Sequence, residues 1–331
     1  MIIGLYWATL LLMLFTLLPL WRNPHWFVRG WDFPRLQLAV IALVILILDC
    51  LYLDFADEKS WLVAGVSIIC LVWQSVWIMP YLPLWPVEVM TTTGKNKEAQ
   101  LSIITANVLA TNKKAHLLID HVRQYKPDIL LTLESDLWWE KQLDVLEAEM
   151  PHTIKCALDN LYGMHVYSRL PFEEAEISYL IEKDVPSMHA LFQLGTGDKV
   201  RMHFLHPAPP SPTENEESTE RDAELVVVAK SIANSEQAIV VAGDLNDVAW
   251  SATTRLFRKI SGLLDPRIGR GIYSTFHAKY PFFRWPVDHL FHSKHFTLDR
   301  LERLPPIGSD HFAMLTVLTF NRSAVEDQEG I

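Results

Sequence analysis

Three apolar runs, Ile2–Leu20, Leu36–Leu53 and Trp61–Met79, constrain this chain before anything else does. Each is 18 or 19 residues long. As a helix, each reaches roughly 27–29 Å at about 1.5 Å per residue, against a hydrocarbon core of ~30 Å. Soluble helices of that length carry a polar stripe, and these do not, so the runs predict three membrane-crossing helices. Trp7, Trp21, Trp26, Trp61, Trp77 and Tyr81 fall mostly near the run ends, where an aromatic belt is expected. No Lys or Arg precedes the first run, and "LLPLWRNPHW" holds no small-x-small cleavage site, so the run is expected to stay as an anchor. Asp49, the one acid inside a run, lies near its end and is expected to snorkel rather than face a helix partner.

Charge divides the chain in the same place. Residues 1–90 hold four Lys/Arg and six Asp/Glu, which leaves 25 basic and 33 acidic residues for 91–331. The expected organisation is an anchor over 1–81 (helices at about 2–20, 36–53 and 61–79), a linker over 82–99, a polar domain over 100–320 and a tail over 321–331. Pro, Thr and small polar residues mark the linker, and "PAPPSPTENEESTE" (207–220) reads as an exposed loop running into a helix at about 220–233. Cys50, Cys70 and Cys156 provide neither a disulfide framework nor a zinc spacing. The first inter-helix loop (21–35) carries Arg22, Arg29 and Arg35, the second (54–60) only Lys59. By the positive-inside rule the first loop is cytoplasmic, and with three spans the polar domain shares its side.

Across the polar domain, strand and helix patterns alternate. Apolar, β-branched strands are expected at 101–109, 128–135, 163–168, 175–181, 188–194, 200–206, 238–242, 287–291 and 313–320, with helices near 112–127, 136–149 and 220–233. Helices between some strand pairs and hairpin spacing between others predict a mixed α/β sandwich with helices over the sheet faces.

Polar residues recur where these strands end. Asn107 closes the first strand, Glu134 the second and His206 another. "VVAGDLND" delivers Asp244 and Asn246 from a buried strand, "WPVDHLF" carries Asp288, and "GSDHFAML" places Asp310 and His311 before the last strand. One such group is usually a turn or cap; eight of one chemical kind make a pattern. Carboxylate and amide oxygens suit a hard cation such as magnesium, and histidines suit a phosphate oxygen gaining charge. An Asp beside an Asn can orient an attacking water while the amide holds a phosphoryl group. The chain contains no G-x-S-x-G elbow and no G-x-x-x-x-G-K-[ST] loop.

The ordered set "TANVL", "LTLES", "YSRLP", "HFLHPAPP", "GDLND", "PVDHLF" and "GSDHFAML" resembles the endonuclease/exonuclease/phosphatase superfamily, the pancreatic-deoxyribonuclease-like fold, over roughly 100–320. The resemblance, to membrane-anchored bacterial-type members, implies an α/β four-layer sandwich of two mostly antiparallel sheets flanked by helices, preceded here by three transmembrane helices. It implies that Glu134, Asn107 and Asp310 bind a divalent metal, with Glu134 the direct carboxylate. Asp244 would activate water, Asn246 hold the scissile phosphate, Asp288 orient His311, and His311 stabilise or protonate the phosphoryl oxygens. His206 matches a substrate-side histidine, and Arg169 in "YSRLP" is a weaker match for a substrate contact. "LT" stands before Glu134 where nuclease members usually have glutamine, and "HPAPP" replaces a longer DNA-contacting motif. His121, His152, His165, His189, His277, His292 and His295 match no family role.

The expected function is a metal-dependent hydrolase of phosphoester bonds, multi-pass in a bacterial inner membrane, using magnesium or alternatively manganese. A basic footprint for nucleic acid is missing from the charge balance, and tethering points to phosphates on membrane lipids. A membrane-held nuclease and a non-catalytic phospho-ligand module are the alternatives. Aromatics in "YPFFRWP" (280–286) either line an apolar approach to the site or pack before a strand.

Overall fold

The computed structural model describes residues 2–94 and 96–321, so the expected tail lies outside the described residues except for Asn321. Three helices are long and apolar enough to cross a membrane: α1 (Ile2–Leu17, continued by a 3-10 turn to Trp21), α3 (Arg35–Tyr52) and α4 (Glu58–Ile78). A single turn, α2 (Trp26–Arg29), lies in the first loop. The bundle is the inverse of a soluble one. Ile3, Trp7, Leu51, Leu62 and Ile69 face outward, while Thr9, Thr16, Asp49, Ser67 and Gln74 are buried between the helices.

Asp49 corrects the sequence expectation. It is fully buried, and its Oδ2 accepts from the Ser67 hydroxyl at 2.8 Å. Ser67 in turn lies 3.4 Å from Thr9 on α1. A hydroxyl on the facing helix gives the carboxyl a partner that snorkelling would forfeit, as is usual for polar groups between apolar helices. Arg35 and Gln74 repeat the device one layer on, with Arg35 donating to Gln74 and Gln74 to Thr16, both at 3.1 Å.

The polar domain contains β1 (Gln100–Asn107), α5 (Ala115–Tyr125), β2 (Ile129–Leu133), α6 (Leu137–Leu143), β3 (His152–Cys156), β4 (Met164–Ser168), β5 (Phe172–Ser178), β6 (Ser187–Gln193) and β7 (Lys199–Leu205). α7 (Thr219–Ile232), β8 (Ala238–Asp244), α8 (Ala252–Ser261), β9 (Asp288–His292), β10 (Phe296–Arg303) and β11 (Met314–Phe320) follow. One sheet runs β10-β11-β1-β2-β4-β3, the other β5-β6-β7-β8-β9. Neighbours are antiparallel except β1/β2 and β7/β8, the two pairs whose connections hold helices α5 and α7. Leu101, Ile103, Leu131 and Val166 meet Met188, Met202, Phe204 and Val240 between the sheets. α5 and α6 cover one outer face through Leu118, Val122 and Trp139, and α7 and α8 cover the other through Leu225, Val228 and Phe257. The result is four layers.

The helical bundle and the polar domain are joined by more than a tether. The linker segment is packed: Val89 is buried in the inter-sheet core, Glu88 pairs with Arg258 at 2.5 Å, and Thr92 N–H donates to the Leu298 carbonyl at 2.9 Å. The first loop docks as well. Trp250 Nε1 donates to the Asp32 carbonyl at 2.7 Å, Arg29 to the Thr253 hydroxyl at 2.6 Å, and Tyr81 to the Ala249 carbonyl at 2.8 Å. Tyr81, Val248, Ala249 and Trp250 form a buried cluster against which Phe33 and Trp77 pack.

Candidate active site

The topology gathers the polar groups at one end of the sandwich. β1 and β2 run parallel, so Asn107 and Glu134 leave the same edge, and β7 and β8 do the same for His206 and Asp244. β9 is antiparallel to β8, and its first residue, Asp288, stands in register with Asp244. β11 is antiparallel to β1 and starts opposite Thr105, which brings the preceding Asp310–His311 back to that edge.

Hydrogen bonds then tie the groups together. Asn107 Nδ2 donates to Glu134 Oε1 at 2.8 Å and to Asp244 Oδ2 at 3.2 Å. His311 Nδ1 lies 2.8 Å from Asp288 Oδ2 and 3.6 Å from Asp244 Oδ2. The Asn246 amide N–H donates to Asp244 Oδ1 at 2.9 Å, and its side chain donates to the Pro207 carbonyl at 3.0 Å. His206 is buried, packs its ring against Tyr162 and leaves Nδ1 without a partner among the described residues. The Asp310 carboxylate accepts from the neighbouring Ser309 hydroxyl at 3.3 Å, and its charge reaches both Glu134 and His311. Arg169 lies at the opposite end of the sheet. It bonds the Pro127 and Glu149 carbonyls at 3.0 and 3.1 Å, a structural role that leaves it no substrate contact at this site.

Local backbone geometry serves these positions. Glu134 and Asn246 sit at φ 55° and 50°, the left-handed region that side chains enter at a cost of order 1 kcal/mol. Gly243, at φ 151°, precedes Asp244, and a Cβ there would lie 1.9 Å from the Leu205 carbonyl oxygen. Only glycine lets β8 approach β7 this closely while turning Asp244 toward Asn107.

Electrostatics separates the groups into charged and neutral. Burial opposes protonation of His311, but Asp288 and Asp244 outweigh it and push its pKa up to about 10. Burial holds His206 down at about 4. Burial also raises the Asp244 carboxyl, and neighbouring Asp288 adds to the rise. Glu134 is pushed up to about 7 by burial, against the Asn107 hydrogen bond. A cationic and a neutral histidine therefore flank the same aspartate.

Several supporting residues escaped the sequence reading. Arg221 is wholly buried on α7, donates to the Asn246 carbonyl at 2.7 Å and lies 3.3 Å from Asp247. Its signal was there: Arg221 falls on the same helical stripe as Leu225, Val228 and Ile232, where a charge needs a reason. Arg267, paired with Asp265 at 2.8 Å, donates to the Asp288 carbonyl at 3.2 Å and to His289 Nδ1 at 2.7 Å. His289, held neutral at about 3 by burial, is left to donate Nε2–H to the Asp247 carbonyl at 2.8 Å. These bonds brace the strands and loop behind Asp244, Asn246 and Asp288.

Residues 104–311 match the model of a family described as the endonuclease/exonuclease/phosphatase family. No curated protein matches the chain. Among solved structures, the chain is similar to TDP2 of D. rerio complexed with single-strand DNA product, at 20% identity and TM-score 0.55, over 67% of this chain and 99% of that one. It is similar to the human Nocturnin catalytic domain with bound sulfate at 15% identity and TM-score 0.56, over 68% and 95%. A third likeness is an endonuclease/exonuclease/phosphatase from Beutenbergia cavernae, at 16% and 0.56, over 67% and 72%. Likenesses this distant in sequence show the fold.

Proposed function

Because this chain belongs to the endonuclease/exonuclease/phosphatase family, we propose that it is a membrane-anchored, magnesium-dependent hydrolase of phosphoesters carried on membrane lipids. The observation that carries the reading is the single bonded cluster of Asn107, Glu134, Asp244, Asp288 and His311 where both sheets end.

The donor set fits a divalent cation at Glu134. This carboxylate lies among Asn107, Asp310 and Asp244, and burial lifts it to about 7; a hard cation would compensate that charge, with Asn107 and Asp310 completing an oxygen-rich side. Asp244, Asp288 and His311 also bring ligand atoms within 4.8 Å of one another. There the imidazolium already supplies the positive charge, so we assign that trio to proton handling. Magnesium, when bound, supplies Lewis-acid polarisation of a phosphoryl oxygen.

The chain's own residues do the rest. Asp244 orients a water and accepts its proton. Asn246, fixed by Arg221 and Pro207, directs its amide at the phosphoryl group. His311, kept cationic by Asp288, donates to the oxygens that gain charge as the ester bond breaks. Neutral His206 serves as a hydrogen-bonding group on the substrate side.

The anchor and the acid excess of 91–331 favour lipid phosphates over nucleic acid. The test is the full chain in detergent with magnesium against phosphatidic acid, a polyprenyl phosphate, bis-p-nitrophenyl phosphate and single-stranded DNA. Release of phosphate or alcohol from the lipids, abolished by chelator, is expected. Cleavage of DNA alone would make it a tethered nuclease, and tight binding without turnover a phospho-ligand module.

A further inference from the structure

Between α3 and the domain lies a groove of about 770 Å³ that contains none of the catalytic cluster. One wall is the first turns of α3, with Leu36, Val40 and Ile41 exposed at 40%, 55% and 47%. Val40 and Ile41 are five and six residues past the helix start, roughly 8–9 Å deeper at about 1.5 Å per residue. The other wall is the domain segment 271–284. Gln37 Nε2 fastens the walls by donating to the Phe282 carbonyl at 2.8 Å. Tyr280, Phe282 and Phe283 on that segment are 57%, 82% and 59% exposed. Three exposed aromatics beside the start of an apolar helix form the side-chain belt that sits at a bilayer surface.

The same segment reaches the catalytic cluster. Phe276 packs its ring 4.9 Å from that of His311, and the Ala278 N–H donates to the Asp310 carbonyl at 2.6 Å. Two guanidinium groups line the groove, Arg284 and Arg303. They lie 5.0 and 4.5 Å from the ring of Phe312, the residue that follows His311. Both donate only to main-chain carbonyls: Arg284 to Ala278 at 2.9 Å, Arg303 to Ser274 at 2.9 Å. Neither has a carboxylate partner among the described residues. Burial depresses Arg303, and the charge of Arg284 adds to that depression. Two close, like charges without a counter-ion make a place for an anion.

We propose that this groove holds the hydrocarbon chain of an amphiphilic phosphoester from the bilayer that holds the anchor, with Arg284 and Arg303 receiving its anionic headgroup. With α3 as one wall, the groove would admit a lipid from the leaflet beside that helix, and its head would meet the two arginines that lie against Phe312, next in the chain to His311. The volume lies within the roughly 300–1,000 Å³ common to small-ligand sites. This assignment of substrate class rests on the hydrolase reading but concerns binding, which can be measured without turnover.

The full chain in detergent, held in excess chelator, is titrated by displacement of a fluorescent phosphatidic acid. The displacing probes are dioleoyl phosphatidic acid, its dihexanoyl analogue and single-stranded DNA. Dioleoyl lipid should bind at least about tenfold more tightly than dihexanoyl, because its longer chains bury more methylenes in the groove. Val40→Trp, which fills the groove from α3, should bring the two affinities together. Arg284→Ala with Arg303→Ala should weaken both lipids about tenfold, and the double lysine variant should restore most of the loss. An unchanged long-over-short ratio in Val40→Trp overturns the groove, and so does DNA displacing the probe more strongly than either lipid. With magnesium restored, lipid binding as described but no cleavage of any phosphoester would remove the hydrolase and leave the groove. Cleavage of bis-p-nitrophenyl phosphate with no chain-length preference would remove the groove and leave the hydrolase.

Discussion

Arg221 Nη1 donates to the main-chain carbonyl of Asn246 at 2.7 Å from a side chain with no solvent exposure. The same guanidinium bonds Asp222 through Nε and Nη2, at 3.1 and 2.8 Å, and Asp222 faces Arg29 of the loop between α1 and α3 at 3.6 Å. One fork thus connects the helical bundle to the loop that bears the proposed phosphate-holding amide.

Arg221→Lys keeps the charge for Asp247 but cannot reproduce the fork. Its kcat should fall by about tenfold, with KM and the magnesium requirement unchanged, the size usual for a residue that orients a working group. Arg221→Ala leaves Asp247 buried without its cation and should destabilise the protein by roughly 3–5 kcal/mol. Steady-state kinetics beside a thermal melt in detergent separates the two effects. Loss of stability with intact kcat in Arg221→Lys would reduce Arg221 to packing.

Asp244→Asn preserves an oxygen for the Asn246 N–H and should keep the fold. It should lose roughly 10²–10⁴ in kcat with the general base gone. Near-normal turnover by this variant would take Asp244 out of the chemistry.

Chelation should abolish activity, and Glu134→Gln should raise the magnesium concentration that gives half-maximal rate, since one anionic oxygen is lost. Magnesium titrations of the two proteins are compared at fixed substrate. Undiminished rates in excess chelator would rule out the metal-dependent scheme.

Glu224, on the buried face of α7, is 2% exposed, and its Oε1 has no partner among the described residues. Burial, with Glu182 adding, pushes its carboxyl from 4.5 up to about 8. The folded pKa exceeds the unfolded one, so the folded state retains a proton that the unfolded state gives up. Stability is therefore flat below about pH 4.5, falls as pH rises toward 8 and levels off above it, by about 5 kcal/mol in full. Glu224→Gln should flatten that decline and melt higher than the parent at pH 9. Melting temperatures in detergent from pH 4 to 9 give the answer, and parallel profiles for the two proteins would contradict it.

A reporter fused at residue 331, active only outside the cytoplasm, should stay silent if the charge rule places the domain inside. The structure gives two of the loop arginines another employment. Arg35 pairs with Asp32 at 2.5 Å, and Arg29 reaches Thr253 and Asp222. Strong reporter signal would put the domain on the outer face and move its substrates to the outer leaflet.

Legibility followed burial. Strands buried along their whole length, β2 and β8, announce themselves as nearly unbroken apolar runs, β1 and β7 as apolar residues mixed with polar ones toward the strand start, and the polar ends of all four exposed most of the candidate site. The strands missed or displaced, β3, β5 and β10, are three of the four sheet edges. Edges tolerate residues such as Lys155, Glu174 and Arg300, and charges there blur the alternation a reader relies on. α8 was missed for a related reason: "ATTRLFRKIS" spreads its buried residues, Thr253, Thr254, Phe257 and Ser261, over a face that is mostly polar in composition. Arg267 and Asp265 were hidden differently. Their work depends on meeting across the fold, and spacing along the chain carries no trace of it.

The docking of Trp250 on the Asp32 carbonyl, and of Tyr81 on that of Ala249, fixes more than attachment. A catalytic head on a slack leash would sweep a hemisphere and sample phosphates at any altitude. Here the polar domain is riveted within four residues of Asn246, so the candidate site stands at a set height relative to the helix ends. Molecules would then be sorted by how far their phosphate protrudes from the surface, a gauge that operates before any side chain has touched them.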